Sequence, residues 1–276
     1  MTQLSVQHSA AKLVSVILLC LSLAGCFGFA FWFERMDTLV MWRLDDMLDL
    51  TDSQKKAVEP VILEIREWLR DDGFPDLIPR LENVMELWVS GESEAALTAF
   101  ENEASAIIDR FLEASWPAVK PLLVQMTPSN AEAYRAYSED KMEEWFDESA
   151  SLEAKVDDRV ERFENWFGEL DRKQTRLIRQ LTKLDANELQ IRVDNSRHRR
   201  ERFLRHALSD DLAALEAMFK RPSDFQTAAY VQWRAQERDQ IVASLQALFP
   251  TLRKAQREQA GERLEEWIER LREVLD

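Results

Sequence analysis

Long runs of helix-forming residues, with very few breakers, limit this chain to helical folds. Ala, Leu, Glu, Gln and Arg fill most of the stretches between turns, and these side chains lose little rotamer freedom in a helix. The 276 residues include only six Gly and eight Pro, which argues against turn-rich β-structure. We therefore predict an all-α protein, an elongated multi-helix bundle or curved helical array of about ten helices.

Turn signals and the apolar periodicity divide the chain into helices. The Gly- and Pro-containing segment at residues 71–75 predicts a clear break between two helices. Pro60 predicts a kink inside the first of these helices. Between residues 128 and 208 the helical pattern is nearly continuous, with breaks near 149–151, 167–168 and 184–186. The remaining predicted helices cover residues 36–49, 52–71, 76–90, 93–116, 223–248 and 252–275.

Four of the predicted helix starts share one pattern, an apolar residue followed four positions later by a side-chain amide. At the clearest of them, Leu50 precedes Thr51, which caps the helix, and Gln54, whose side chain reaches back to the Thr51 N–H. The starts are separated by 76, 44 and 82 residues, and this alternation predicts two related helical halves, 36–169 and 170–276. The alternative is coincidence, because capping boxes are common in helical proteins. The four starts are Leu50–Gln54, Met126–Asn130, Leu170–Gln174 and Leu252–Gln256.

The amino-terminal segment has the form of a secretion signal. An uncharged apolar run at residues 13–19 follows Lys12, and Leu23 and the small residues Ala24 and Gly25 then precede Cys26. This segment resembles the lipobox of bacterial lipoproteins. The resemblance implies that residues 1–25 are a signal peptide that is removed and that Cys26 is acylated, so that a lipid attaches the chain to a membrane. Bulky residues precede Cys20, which is therefore not a competing site, and no disulfide is possible in the mature chain.

Two questions about this segment stay open at the sequence level. Residues 13–33 are uncharged and long enough to span a bilayer, so an uncleaved anchor is the alternative to the lipoprotein. The expected tether, residues 26–35, is rich in aromatic side chains that could rest in the membrane interface or pack beneath the folded body. By resemblance to the sorting rule of enteric lipoproteins, Phe27 in place of Asp favours the outer membrane, with the body facing the periplasm. The other tether aromatics are Phe29, Phe31, Trp32 and Phe33.

The charge distribution excludes one class of partner. The net charge is −15, and residues 1–150 hold 12 cations against 27 carboxylates, whereas residues 151–276 hold 24 of each. An acidic surface repels phosphate, so we expect no nucleic acid partner for residues 1–150.

Two clusters of charged residues could carry a function. Four aspartates within residues 45–52 could hold a cation, but no calcium-loop glycine accompanies them, and we favour a solvated helix end. A basic cluster at residues 192–206 is a possible basic surface that could bind anionic lipid, cell-wall polymer or the acidic residues 1–150, although we favour an intramolecular or solvated role with carboxylate neighbours. Its arginines are Arg192, Arg197, Arg199, Arg200, Arg202 and Arg205.

The sequence contains no recognisable catalytic or cofactor motif. There is no glycine-rich phosphate loop, zinc-ligand spacing or nucleophile elbow, and His198 and His206 lie about two turns apart on a helix. We therefore predict no catalytic residue, metal or cofactor. The nine Trp residues fit core packing, with a concave aromatic surface for unfolded chains as the more specific alternative.

Two family resemblances bear on function. The pattern Leu-Thr-x-x-Gln at Leu50–Gln54 resembles the helix starts of the periplasmic Spy/CpxP chaperones and stress sensors. The order of three features resembles a family of uncharacterised proteobacterial lipoproteins (domain of unknown function 6279): a lipobox, an aspartate-rich helix with Trp42, and then Leu-Thr-x-x-Gln. This second resemblance implies no activity. The residues that match this second pattern are Cys26, Asp37, Trp42, Asp45, Asp46, Asp49, Leu50, Thr51, Gln54 and 166–170.

These observations lead to one expectation for function and two alternatives. We expect a non-enzymatic envelope lipoprotein that binds other envelope proteins, in a chaperone-like or stress-related role. The first alternative is a cell-wall or anionic-lipid binding module that uses the basic cluster at residues 192–206. The second is an enzyme whose active site is assembled from residues far apart in the sequence.

Overall fold

The computed structural model describes residues 28–147, 152–182 and 185–276, and these ranges are helical without a β-strand, which confirms the all-α prediction. A π-helical turn, Leu69–Gly73, and two 3-10 turns, Pro222–Phe225 and Phe249–Thr251, connect some of the helices. The α-helices are α1 (Phe29–Glu34), α2 (Met36–Leu48), α3 (Asp52–Trp68), α4 (Phe74–Val89), α5 (Ser93–Val124), α6 (Pro128–Asp147), α7 (Leu152–Phe167), α8 (Arg172–Leu181), α9 (Glu188–Leu208), α10 (Leu212–Lys220), α11 (Ala228–Leu248) and α12 (Lys254–Arg272).

Proline and glycine interrupt the helices less than their positions predict. The prediction of a clear break at residues 71–75 is wrong, because the backbone passes through the π turn into α4 and Gly73 keeps helical angles. Pro75 lies in the first turn of α4, directly after the π turn. Pro117 and Pro121 lie inside α5, which continues to Val124. The predicted break at residues 149–151 lies outside the described residues.

Most of the core lies in two apolar clusters, one large and one smaller, and a third, minor cluster joins α5, α9 and α10. The large cluster joins α1 to α5 with the end of the last helix, through Ile268 and Leu271 of α12. The smaller cluster joins α7, α8, α11 and the beginning of α12, with Ile178 and Leu248 fully buried. Trp88 of α4 packs against both clusters, and α12 contributes to each of them. The last helix therefore links the carboxyl-terminal part of the chain to the amino-terminal part.

The short helix α1 is part of the folded body. Phe29 and Phe33 are buried, and their ring centroids lie 6.2 Å and 5.4 Å from that of Phe74. Phe31 stays exposed, so the aromatic tether is divided between core and surface. No helix in the described ranges is long and apolar enough to cross a membrane. The predicted lipobox residues, the lipidation site Cys26, and also Cys20 and Phe27, lie outside the described residues.

Candidate functional site

The first two of the similar helix starts meet in the interior. The Thr51 N–H donates to Gln54 Oε1 over 3.0 Å, and the Gln54 N–H donates to the Thr51 hydroxyl, so the capping box at the start of α3 is present. The Gln54 side chain then donates from Nε2 to Asn130 Oδ1, over 2.7 Å, and to the Gln125 carbonyl. At the start of α6, Asn130 Oδ1 likewise accepts the N–H of the capping residue Thr127, and Asn130 Nδ2 donates to the Leu48 carbonyl, over 2.8 Å. We call this arrangement the first amide pair.

The other two helix starts repeat this geometry. Gln174 of α8 and Gln256 of α12 each accept the N–H of their own capping residue and donate to the amide oxygen of the other, over 2.9 Å and 3.1 Å. Gln174 also donates to the Thr251 carbonyl and Gln256 to the Glu169 carbonyl, each 3.0 Å away. We call this arrangement the second amide pair.

The two amide pairs agree in detail. Gln54, Gln174 and Gln256 each donate to the carbonyl two residues before the partner's capping residue. All four amide side chains are at least 91% buried. Each of them is hydrogen-bonded to the other amide of its pair and to a backbone carbonyl near the partner's helix start. The pairs are therefore structural joints between helix ends, and their repeated geometry supports the interpretation of a duplicated helical unit.

The basic cluster on α9 faces the protein more than the solvent. Arg197 and Arg200 both pair with Glu139 of α6, over 2.9 Å and 2.7 Å. These arginines, with the Arg197 hydrogen bond as the main cause, hold the pKa of Glu139 below its usual value. Arg192 lies over the Trp145 ring and Arg202 over the Phe225 ring. The cluster therefore serves mainly to dock α9 on its neighbours, and Arg205 stays exposed.

For two of these arginines the prediction of a surface position is wrong. Arg199 and Arg200 are only 6% and 8% exposed, because they lie on the side of α9 that faces α6. Arg200 is fully paired there, with Glu139, with Glu201 and with the Ser138 hydroxyl. Arg199 has no carboxylate partner among the described residues, and its Nε is buried without a hydrogen bond.

The remaining polar candidates have local partners. Asp45 accepts the Leu50 N–H and pairs with Lys55, 2.8 Å away, so it closes the turn between α2 and α3. No group of three or more His, Cys, Asp or Glu side chains in the described ranges is placed to hold a metal ion. His206 Nδ1 lies 3.0 Å from Asp211, and the nearby Ser209 hydroxyl donates to the His206 carbonyl instead of its ring.

An open groove with aromatic side chains lies outside these contacts. It has a volume of about 650 Å³, which is within the range of about 300–1,000 Å³ that is typical of ligand sites. Its floor is the ring cluster of Trp88, Phe167 and Phe249, with centroids 5.4–6.3 Å apart. The Trp88 indole N–H donates to the Arg257 carbonyl, which fixes this ring. We call this surface the aromatic groove.

Exposed apolar side chains form the walls of the aromatic groove. Phe100 of α5, Trp166 of α7 and Ile241 of α11 are 38%, 41% and 41% exposed there. Charged residues form the rim and include the ion pair Arg159–Glu237, with a distance of 2.6 Å. The rim has five cations against three carboxylates: Lys155, Arg159, Arg162, Arg192, Arg234, Asp158, Glu188 and Glu237. An apolar groove with a polar, slightly cationic rim is suited to an apolar segment that carries acidic residues.

Sequence reasoning identified only part of this groove. Trp166 and Phe167 lie in the stretch that carried the family resemblance, and Trp residues were proposed for a concave surface. Phe100 and Ile241 were not predicted, because they come from helices about 140 residues apart and each looks like an ordinary apolar position. Only the tertiary arrangement, in which α5, α7 and α11 all line the groove, brings them to one surface.

Comparison with known proteins gives one match. A family model described as a family of unknown function (DUF6279) matches residues 46–231, well over half of the chain. No curated protein and no solved structure matches.

Proposed function

This chain belongs to the DUF6279 family, whose function is unknown, and from that premise we propose a non-enzymatic, lipid-anchored envelope protein that binds other proteins in a chaperone-like role. The observation that carries the proposal is the aromatic groove, in which large apolar side chains remain open to solvent. Monomeric proteins rarely leave such surfaces without a partner. The resemblance of Leu50–Gln54 to the Spy/CpxP helix starts agrees with this role.

We propose an extended apolar segment with acidic residues as the occupant of the aromatic groove. Trp166 and Phe100 would contact its apolar side chains, and the excess of cations on the rim would attract its carboxylates. An unfolded envelope protein offers such segments until it folds. In this proposal the groove binds the segment without catalysing a reaction, and no catalytic residue is assigned.

Substitutions in the aromatic groove test the binding role. The double variant Phe100→Ala/Trp166→Ala should suppress the aggregation of an unfolded model protein about tenfold less well than the unaltered full chain, because two aromatic contacts are lost. Light scattering at increasing chaperone concentration measures the change. The matched control is Trp42→Ala, since Trp42 is 67% exposed on α2 and lies outside the groove. Equal suppression by both variants would contradict the proposal.

The proposed anchor is the lipid on Cys26. Helix α1 begins at Phe29, three residues later, so the lipid would hold α1 close to the bilayer. An uncleaved membrane helix over residues 13–33 would instead remove the buried Phe29 and Phe33 from the core. This conflict favours the lipoprotein interpretation.

Palmitate labelling tests the anchor. Cells that express the full chain should incorporate radiolabelled palmitate into it, and fractionation should place it in the outer membrane. Cys26→Ser should abolish labelling, whereas Cys20→Ser should leave it unchanged. Labelling that depends on Cys20, or a chain that keeps residues 1–25, would argue against the proposed anchor.

A further inference from the structure

A second cavity lies apart from the aromatic groove and shares no lining residue with it. It has a volume of about 220 Å³ and is enclosed by α2, α3, the end of α5, α6, α9 and α10. An engineered apolar cavity of roughly 150 Å³ holds a benzene molecule, so this space can hold part of an alkyl chain. Most of its lining is aliphatic, including Val58, Ile62, Leu122, Met126, Met142 and Leu215.

The charged residues that line this cavity are all cations. They are Lys141, Arg199 and Arg200, and no Asp or Glu side chain takes part in the described lining. Lys141 pairs with Glu144, over 2.6 Å, and Arg200 with Glu139 and Glu201, all of them outside the cavity. For Arg199 we find no hydrogen bond or ion pair within the described part of the chain, and its Nε is buried without a partner.

An unpaired buried guanidinium is unusual in a protein with a net charge of −15. Arg199 is 6% exposed, and burial lowers the pKa of its guanidinium, with Tyr134 and Tyr230 as the groups that oppose this shift. Arginine nevertheless keeps its proton in proteins, so the cavity holds a desolvated positive charge beside an aliphatic wall. An anion placed there would form charge-assisted hydrogen bonds with little screening by water.

We propose that this cavity binds a single-chain anionic amphiphile, whose alkyl chain lies among the aliphatic side chains and whose head group contacts the Arg199 guanidinium. A long-chain fatty acid and a lysophospholipid share this chemistry, because a guanidinium donates two parallel hydrogen bonds to a carboxylate or to a phosphate. The amide pair Gln54–Asn130 also lines the cavity, but its polar atoms are used within the pair and attract no head group. The site is independent of the proposed protein-binding groove.

Photo-crosslinking of the purified full chain tests the proposal. The chain is kept in a nonionic detergent, whose neutral head group competes for apolar contacts but not for a cation. A diazirine-bearing long-chain fatty acid should label peptides of α3, α6 or α9 that line the cavity. The corresponding fatty alcohol should label them about tenfold less, since it cannot form the charge-assisted bonds. This comparison uses the unaltered protein and does not depend on how a variant folds.

Arginine variants locate the head group. Arg199→Met should reduce labelling by the fatty acid about tenfold, and Arg199→Lys, which keeps the charge, should retain more of it than Arg199→Met. Arg205→Met is the matched control, because Arg205 is exposed on the same helix and does not line the cavity, and it should label like the unaltered chain. Circular dichroism confirms that each variant is folded.

Each outcome decides the proposal. Competition by unlabelled fatty acid supports a carboxylate head group, and stronger competition by lysophosphatidic acid supports a phosphate head group at the same site. Absence of labelling in the cavity, equal labelling by the acid and the alcohol, or a folded Arg199→Met chain that labels normally would overturn it. Failure of the aromatic-groove variants to affect aggregation would leave this proposal unaffected, because the two sites are separate.

Discussion

Arg199 and Arg200 are neighbours on α9 and similarly buried, but within the described ranges only Arg200 has counterions. Hydrogen bonds to a counterion can offset the free energy lost when a charge is desolvated, whereas a buried charge without a counterion has nothing to offset that loss. We therefore expect the two positions to differ in their contribution to the free energy of folding, although their residue type is the same and their exposure is similar.

This difference predicts opposite effects of the same substitution. Arg200→Met should lower the free energy of unfolding by about 1–3 kcal/mol, because hydrogen bonds to charged groups are lost. Arg199→Met should leave it unchanged or raise it, since a buried charge without a counterion is replaced by an apolar chain of similar length. Guanidinium unfolding of both variants without added amphiphile measures the two values. A larger loss for Arg199→Met than for Arg200→Met would contradict our description of Arg199.

At the scale of elements, the two amide pairs connect helix ends that are far apart in the chain. Each pair joins helices whose starts are 76 or 82 residues apart, and each amide completes its own capping box at the same time. A capping box is a local motif that sequence reveals, because all its atoms lie within four residues. Which capping boxes face each other depends on how the helices pack, and no local sequence pattern predicts this pairing.

Removing one amide should therefore cost more than removing an ordinary cap. In Gln174→Leu, the Thr251 carbonyl and the amide of Gln256 lose buried partners, each at a cost of about 1–3 kcal/mol, and we expect a total loss of about 3 kcal/mol. Gln232→Leu is the control, since Gln232 is exposed on α11. Urea unfolding of both variants provides the comparison. A loss below about 1 kcal/mol, the usual cost of one cap, would show that the pair adds nothing to the cap itself.

For the whole molecule, α12 determines how the two parts of the chain depend on each other. Its first turns complete the second amide pair and the smaller core, and its end contributes Ile268 and Leu271 to the larger core. The predicted halves, 36–169 and 170–276, therefore meet through an extensive buried contact. Neither half buries its apolar residues completely without the other.

This arrangement predicts a single cooperative unfolding transition. Gln54→Leu alters the first amide pair and Gln174→Leu the second, yet both should move the same calorimetric peak to lower temperature. The shared core couples the two parts, so a defect in one destabilises both. Two resolved peaks, with each variant moving only one of them, would show instead that the halves unfold independently.

The sequence by itself determined the helical class, most helix boundaries and the capping boxes, because periodicity and capping depend on residues within one or two turns of each other. It also separated the acidic first half from the balanced second half. Tertiary structure alone decided that Phe29 and Phe33 pack in the core, that Arg199 is buried without a counterion among the described residues, and that Phe100 and Trp166 line one groove. These are contacts between segments that are far apart in the sequence. The burial and the partners of a side chain depend on which helix packs against it, and the neighbouring residues in the sequence do not specify that helix.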